Sequence, residues 1–412
     1  MVPSGWTNTT FEKHIDLLSG FAFKSANYSS DYSDVRLLRG DNIEPGALRW
    51  RGVKRWTVSE AEGEKLEKYY LEEHDFVIAM DRTWVSAGLK VTEVKKCDLP
   101  CLLVQRVSRI RALPTLKQSL LRQYFSGHRF EQYVKSVQTE TAVPHISAKQ
   151  IKEFAFLLPP KNEQQKIAKI LSTWDRAIST TARLIDNSKQ QKKALMQQLL
   201  TGKKRLSGFD AEWKEVILGD IGKCITGLTY SPSDTVDNGG MLVLRSSNIQ
   251  QSKLSFTDNV FVNSDLKVKS KTQDGDILVC VRNGSKNLIG KSALLKGKAV
   301  NQAHGAFMTL YRCTYPELAF QLFQSNDYYR QVNKNLGATI NSINTSDLHK
   351  FKFMMPADDR EVNAIASVLT SADKEIELLE QQLADLKQEK KALMQQLLTG
   401  KRRVIVEEKG VA

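Results

Sequence analysis

The chain has 412 residues, a hydrophobic content of 41% and a formal net charge of +14. This length suffices for two domains with their own cores, and no apolar run is long enough for a membrane-spanning helix. The first residues, MVPSGWTNTT, lack the layout of a signal peptide, so we expect a cytoplasmic protein. The five cysteines form no zinc pattern, so we expect no metal site.

The first domain is predicted to span residues 1–158. It contains short β-type runs (VRLLRG, DFVIAM and KEFAFLL) and a helical stretch near 115–135. We therefore expect an α+β domain with a mixed or mostly antiparallel sheet. Polar side chains in and after its loops are candidates for DNA contact. These candidates are Lys24, Arg39, Asn42, Arg82, Thr83, Thr139, Thr141 and His145.

A long helix follows within residues 159–205. Mostly apolar and small side chains recur with alternating spacings of four and three, which is typical of a coiled coil. The positions are Ile167, Leu171, Trp174, Ile178, Thr181, Ile185, Ser188, Lys192, Leu195 and Leu199. The helix should begin near Glu163 and end at Gly202, because glycine is the favoured left-handed cap. Its length should be roughly 60 Å.

The second domain is predicted to span residues 206–355 and has the same character. Its β-type runs are MLVLR, GDILVCV, AFMTLYR and KFKFMM, with a helical stretch near 316–335. Two polar loops, RNGSKN (282–287) and GATINSINTS (337–346), stand out. The candidates for DNA contact here are Arg245, Ser247, Asn248, Arg282, Asn283, Ser285, Lys286, Asn287, Asn341 and Asn344. The alternative is that these loops are simple turns, where Asn, Gly and Ser are common anyway.

A second helix lies within residues 356–412 and shows that the chain is a tandem duplication. The string KKALMQQLLTGK occurs at 192–203 and again at 390–401, and the coiled-coil positions recur 198 residues later. The first helix carries seven Lys or Arg and three Asp or Glu. The second helix carries four Lys or Arg and seven Asp or Glu. Opposite charges favour pairing within one chain; homodimeric coils are the alternative. The excess positive charge then lies mainly in the globular domains, as expected of a nucleic-acid binder.

No catalytic motif is present. The chain has no GxxxxGK[ST], no GxSxG and no HExxH, and no GxGxxG between a strand and a helix. It also lacks the Asp/Asn-Pro-Pro-aromatic sequence of amino-methyltransferases. The sequence therefore predicts a protein without an active site of its own.

Three further segments carry a family resemblance. They are the duplicated KKALMQQLLTGK, the helix start PPKNEQQKIAKIL (159–171) and the segment EWKEVILGDIGKCITG (212–227). With these, the whole chain resembles the DNA-specificity (S) subunits of type I restriction–modification systems. RSSNIQ, GSKNLIGKSA and GATINSI are similar to one class of target-recognition domain. The second helix start, PADDREVNAIASVL, lacks the Glu-Gln-Gln-Lys string of the first.

The resemblance implies two target-recognition domains joined by two long antiparallel coiled-coil helices with pseudo-two-fold symmetry. Each domain would read one half of a bipartite, asymmetric site in double-stranded DNA, and the helix pair would set the gap. The chain itself would be non-catalytic and bind no cofactor. Two methylation subunits would dock on it with S-adenosylmethionine. Systems that restrict would add two restriction subunits with ATP and Mg²⁺, and the sequence leaves open whether this one does.

Two other functions compete with this interpretation. A self-contained methyltransferase or nuclease would need cofactor-binding motifs that the sequence lacks. A coiled-coil interaction scaffold, or an antirestriction decoy, would bind DNA only through salt-dependent contacts with no preferred site.

Overall fold

The computed structural model describes residues 2–237, 239–263, 268, 270–336 and 341–405. The chain divides into two compact units, Met1–Thr181 with Gln382–Ala412, and Ala182–Gln381. Each unit contains one globular domain and part of both long helices. Part of the predicted loop 337–346, residues 337–340, and the tail from 406 lie outside the described residues.

The globular domain of the first unit combines short strands with four helices. Its helices are α1 (Glu60–Glu67), α2 (Gln118–Phe125), α3 (His128–Val137) and α4 (Ala148–Glu153). Its strands are β1 (Thr7–Thr10), β2 (Ile15–Ser19), β3 (Val35–Leu38), β4 (Ile43–Glu44), β5 (Ala47–Leu48), β6 (Lys54–Trp56), β7 (Phe76–Ala79), β8 (Trp84–Val85), β9 (Gly88–Leu89), β10 (Val91–Glu93), β11 (Cys101–Leu103), β12 (Val107–Ala112) and β13 (Ala155–Leu158). The strands β3, β7 and β13 lie in the three predicted β-type runs.

The main sheet of the first unit has the strand order β10-β7-β12-β2, with every neighbouring pair antiparallel. A second sheet, β11-β3-β6, joins β11 to β3 in parallel and β6 to β3 antiparallel. The predicted helical stretch near 115–135 is two helices, because the chain turns at Gly127 between α2 and α3. A β-carbon there would lie 3.1 Å from the carbonyl oxygen of Tyr124.

The globular domain of the second unit is built in the same way. Its helices are α6 (Leu218–Ile221), α7 (Pro316–Leu322), α8 (Asn326–Lys334) and α9 (Thr345–His349), and the two long helices of the chain are α5 (Lys161–Leu199) and α10 (Asp359–Leu397). Its strands are β14 (Trp213–Ile217), β15 (Gly222–Thr226), β16 (Thr235–Val236), β17 (Met241–Leu244), β18 (Ile249–Gln250), β19 (Lys253–Leu254), β20 (Phe261–Val262), β21 (Ile277–Cys280), β22 (Ser292–Leu294), β23 (Ala303–His304), β24 (Met308–Cys313) and β25 (Lys352–Pro356).

The antiparallel sheet β15-β24-β21-β22 repeats the main sheet of the first unit. A parallel pair, β17 and β23, repeats β3 and β11. The predicted α+β class with mixed sheets is confirmed in both units.

Within each unit, α5 and α10 pack against each other and against the globular domain. In the first unit Ile167 and Leu171 of α5 share a core with Leu397 of α10. In the second unit Leu199 of α5 shares a core with Ile365 of α10. The start of one helix thus meets the end of the other, which confirms antiparallel pairing within the chain.

Partly buried polar contacts join the helices at equivalent places. In the first unit Asp175 accepts hydrogen bonds from Lys390 at 2.7 Å and from Gln123 at 2.8 Å. We call this group the first anchor. The second anchor is Asp373 with Lys192 at 2.6 Å and Gln321 at 2.8 Å. Each residue of the second anchor lies 198 positions from its counterpart in the first anchor.

The helix ends also match. Gly202 and Gly400 both have a φ of +68°, so the predicted left-handed glycine follows each helix. Beyond Gly202, Arg205 contacts the buried carboxylate of Glu361 at 2.6 and 2.5 Å. Beyond Gly400, Arg403 makes the same pair with Glu163. These pairs hold each basic segment against the start of the other helix.

Candidate nucleic-acid interface

The first candidate interface is a cleft at the ends of β3, β7 and β11, which we call the first cleft. The N–H of Met80 donates to the carbonyl of Arg106, and the N–H of Ile146 donates to the carbonyl of Met80, both at 2.9 Å. These bonds hold three loops side by side. The lining residues are Tyr28, Arg39, Gly40, Asp41, Asp81, Arg82, Lys90, Val104, Gln105, Arg106 and Val143.

Cations outnumber carboxylates in the first cleft by four to two. Asp81 accepts hydrogen bonds from Arg106 at 3.4 Å and from His145 at 2.6 Å, so it orients both side chains. Burial lowers the pKa of Lys90, with Asp41 and Asp81 opposing that effect. A partly desolvated cluster of this sign attracts phosphate, and its guanidinium groups can pair with guanine.

The second candidate interface, the second cleft, has the same backbone frame. The N–H of Val281 donates to the carbonyl of Phe307 at 3.1 Å, and the N–H of Ile343 donates to the carbonyl of Val281 at 2.9 Å. Val281 therefore corresponds to Met80, and Phe307 to Arg106. The lining residues are Leu228, Thr229, Tyr230, Pro232, Thr235, Arg245, Ser246, Ser247, Asp258, Val260, Gly305, Ala306, Phe307 and Met308.

Hydrogen bonds tie the predicted loops together beside the second cleft. The Asn283 amide donates to the Ser246 hydroxyl at 3.1 Å, and the Asn341 amide donates to the carbonyl of Gly284 at 3.0 Å. Arg245 donates to Asp258 at 3.2 Å. The structure thus brings together residues that lie 37 and 57 positions apart in the sequence. Asn283 and Asn341 hold the loops in place.

Charged and polar side chains remain exposed at the rim of the second cleft. Arg282 is exposed, with its guanidinium carbon 5.9 Å from the centroid of the Phe307 ring. Ser285, Lys286 and Asn287 form an exposed turn that ends in a short 3-10 helix. These four predicted residues are free to reach a ligand.

Other predicted residues lie at the margins. Lys24 is exposed and precedes a 3-10 turn. Thr139 and Thr141 are exposed, but their hydroxyls bond each other at 3.3 Å, and that of Thr141 also donates to the carbonyl of Val143. Asn344 is the residue before α9, and its amide donates to Asp347 at 3.4 Å. None of these four lines either cleft.

Three predicted DNA contacts are corrected by the structure. Asn42 is buried; its side-chain oxygen accepts from the N–H of Arg39, and its amide donates to the carbonyl of Arg49. Asn248 is buried in the same way beside Arg245. Thr83 is buried, and its hydroxyl donates to the carbonyl of Ala79 at 2.7 Å. Their hydrogen-bonding groups are used inside the domain, so they shape turns and do not offer contacts to DNA.

The Ser247 hydroxyl has a different status. It is buried, and the described residues supply it with no hydrogen-bond partner. The Nε atom of the nearby Arg245 guanidinium is also buried and has no hydrogen-bond partner among the described residues. Buried polar atoms without partners are rare in native structures, so this wall of the second cleft has unused hydrogen-bonding capacity.

Lys90, Arg106 and Phe307 line the clefts but were not among the residues predicted from the sequence. Phe307 lies in the predicted run AFMTLYR, just before β24, and Arg106 lies just before β12, outside every predicted run. Arg106 adopts a φ of +67°, and non-glycine residues in this region are uncommon in proteins. The signal that could have identified them is the internal repeat, which places Arg in one domain opposite Phe in the other.

A separate surface repeats in both units along the duplicated string. In the first unit a groove runs between the end of α10 and α3, and in the second a groove runs between the end of α5 and α8. We call them the paired grooves. The string contributes the same side chains to both: Lys391, Met394, Gln395, Leu398 and Thr399 in the first, and Lys193, Met196, Gln197, Leu200 and Thr201 in the second.

In the described ranges, no three His, Cys, Asp or Glu side chains are grouped so that they could hold a metal ion. No helix there is both long and apolar enough to cross a membrane.

Comparison with known proteins decides the family. Residues 22–188 and 210–388 both match the family described as "Type I restriction modification DNA specificity domain". The chain belongs to this family. Its two matched segments correspond to the two halves of the duplication.

Individual relatives agree with this assignment. The EcoAI specificity subunit of Escherichia coli is 34% identical over 184 residues, which are 44% of this chain and 30% of that protein. The MjaVIII specificity subunit of Methanocaldococcus jannaschii is 28% identical over 298 residues, which are 68% of this chain and 70% of that protein. The chain thus matches about a third of the first relative's length and most of the second's.

Solved structures share the fold. The type I S subunit from M. genitalium superposes with a TM-score of 0.57 at 14% identity, covering 96% of both chains. A structure from work on complex assembly in the type I R-M system gives a TM-score of 0.57 at 15% identity, covering 98% of this chain and all of that one.

Proposed function

We propose that this chain is the non-catalytic DNA-specificity subunit of a type I restriction–modification enzyme. Each globular domain reads one half of a bipartite, asymmetric site in double-stranded DNA. The observation that carries this proposal is the pair of clefts, which share a backbone frame and differ in the side chains at their rims. Two related domains with different side chains are suited to two unlike half-sites.

The chemistry of each cleft supports a different half-site. The first cleft offers arginines and a lysine beside two carboxylates. The second offers Arg245 and Arg282 around an exposed phenylalanine, with Lys286 and Asn287 on the exposed turn. Arginine favours guanine, asparagine favours adenine and apolar groups favour the thymine methyl. Lysine and serine suit phosphate and set the position of the protein on the duplex.

The helix pair supports two further roles. Because α5 and α10 each contribute to both units, we propose that their length sets the gap between half-sites. We also propose that two methylation subunits dock on the paired grooves. Side chains such as Lys193 and Lys391 are exposed in both copies, so core packing does not explain their identity. Two copies of one partner would require two identical surfaces.

The remaining assignments follow from this role. S-adenosylmethionine would bind to the methylation subunits, and ATP with Mg²⁺ to two restriction subunits in a system that restricts. This chain would bind none of them, and the whole complex would work in the cytoplasm, where cellular DNA is found.

The test is a map of adenine methylation in cells that carry this chain with its neighbouring methylation subunit. The expected result is a motif of two short, unlike halves separated by a fixed gap, which disappears when this chain is deleted. A motif that persists without the chain would contradict the proposal. Salt-dependent DNA binding by the purified complex with no preferred sequence would instead favour the scaffold or decoy.

A further inference from the structure

Phe307 is unusual among the phenylalanines of this chain. The described ranges contain all sixteen, and Phe307 alone is exposed, with 59% of its surface accessible. Fourteen of the others lie in cores or against them, where aromatic side chains contribute most to stability, and the remaining one, Phe209, is half-buried. Leaving this ring in water therefore calls for a different explanation.

The backbone fixes the position of the Phe307 ring. Its carbonyl accepts hydrogen bonds from the N–H groups of both Val281 and Arg282, each at 3.1 Å. The residue lies between β23 and β24, so two strands hold the turn at both ends. The Arg282 guanidinium approaches the ring at 5.9 Å. A ring held in this way presents a defined apolar face beside the second cleft.

The equivalent position in the first unit carries a different chemistry. Arg106 occupies the same place in the frame, since its carbonyl accepts from Met80 as that of Phe307 accepts from Val281. The Arg106 side chain is 64% exposed and lies 3.4 Å from Asp81. The duplication thus keeps the backbone and an exposed side chain at this position, and changes the side chain from a cation to an aromatic ring.

The major groove offers one apolar group, the C5 methyl of thymine, while guanine offers two acceptors that suit arginine. We propose that Phe307 is a specificity-determining residue that packs on a thymine methyl in the half-site read by the second domain. The inference rests on the proposed function. The flanking Arg245 and Arg282 would hold the phosphates or neighbouring bases, so that the ring meets the groove floor.

The first experiment changes the DNA and leaves the protein intact. The chain, in complex with its methylation subunits, is titrated with duplexes in which each thymine of the second half-site is replaced in turn by deoxyuridine. This replacement removes only the methyl group. One position should weaken binding by about fourfold, the expected effect of losing one buried methyl contact. If no position in that half-site responds, or if it contains no thymine on either strand, the inference is wrong.

The second experiment identifies the protein partner of that methyl. Phe307→Ala should weaken binding to the thymine duplex by a similar factor and should no longer distinguish thymine from deoxyuridine at that position. Phe307→Leu keeps an apolar contact and should retain part of the discrimination. Arg106→Ala is the matched control, because it should alter the first half-site and leave the deoxyuridine effect unchanged. If Phe307→Ala keeps the full deoxyuridine effect, or weakens binding to unrelated DNA equally, the ring does not read this base.

Failure of the proposed function would look different. In that case the unaltered complex would show no preferred duplex at all. A preferred bipartite site without a methyl effect at any thymine would leave the proposed function standing and remove only the role of Phe307.

Discussion

The two sides of each unit have diverged to different degrees. On the helix side, the anchors use the same residue types in both units and place them at nearly the same distances. On the cleft side, equivalent backbone positions hold different side chains. Asp81 of the first unit corresponds to Arg282 of the second, and Arg106 corresponds to Phe307. The duplication has therefore preserved the contacts that assemble the molecule and varied the groups that face outward from the clefts. The preserved contacts and the varied groups therefore lie on separate parts of each unit.

The largest effect should come from changing the helix length. Ser188 donates to Glu375 at 3.3 Å, so these positions face each other in the pair. One heptad inserted after Ser188 and another after Ile376 would keep the seam and add about 10 Å, or about three base pairs. Methylation of the original site should be lost, and a site with the longer gap should appear in the methylation map. An insertion in α5 alone is the control and should abolish methylation. An unchanged gap would contradict the role of the helices as a spacer.

The next prediction compares the two anchors. In the first, the side chain of Asp175 is 21% exposed, whereas in the second that of Asp373 is 39% exposed. Lys390→Met should therefore lower the local stability of the first unit by about 3 kcal/mol, and Lys192→Met that of the second by about 1 kcal/mol, because a less hydrated unpaired carboxylate costs more. Hydrogen exchange of the amides in α2 and α7 measures both. Equal losses would mean that exposure does not separate the anchors.

A change in one cleft should alter one half-site only. Arg282→Ala removes an exposed guanidinium beside Phe307 and should reduce discrimination at one base pair by about tenfold, within the range for a single arginine contact. The methylation motif should become degenerate in the second half and stay unchanged in the first. Relaxation in both halves would show that the clefts do not act independently.

The paired grooves should respond equally to equivalent changes. Lys391→Glu and Lys193→Glu each reverse an exposed charge on the duplicated string, and each should weaken binding of one methylation subunit by about tenfold. Native mass spectrometry should show complexes with one such subunit for either variant and none for the double variant. Lys374→Glu, at an exposed position outside the string, is the control. A loss confined to one variant would argue against two equivalent docking surfaces.

The smallest effect is expected at the exposed turn. Lys286 is exposed and suited to a phosphate. Lys286→Ala should weaken binding to all sequences by about threefold and reduce the slope of log affinity against log salt by about one. A sequence-dependent change would assign Lys286 to base reading instead.

The sequence predicted the long helices and the strands well because both carry strong periodic signals. The seam from Ile167 to Leu199 is buried or partly buried at every predicted position, since a four-three spacing leaves few alternatives for packing. The pairing of the two helices within one chain, predicted from their opposite net charges, is confirmed. The anchor ion pairs, however, use an aspartate and a lysine that both helices carry. The proposed DNA contacts were harder to judge.

Asn42 and Asn248 illustrate the difficulty. They occupy equivalent positions in the two halves, and both were predicted as DNA contacts because they are polar residues in loops. Both close the turn after a strand, because the side-chain oxygen accepts a hydrogen bond from the N–H of the residue three positions earlier. For these two asparagines, identity between the halves reflects a shared turn structure. Arg106 and Phe307 were missed because no local sequence pattern distinguishes an exposed turn residue from the strand that follows it.

The anchors have a consequence for how such a gene can change. Each half of the chain carries both an aspartate and a lysine at the same repeat positions, and each pairs with the opposite residue of the other half. A half that keeps these two residues therefore keeps its contribution to both anchors when its partner half changes. Recombination could replace one recognition domain together with its helix, with no compensating change in the remaining half. A new combination of half-sites would then require a single genetic exchange.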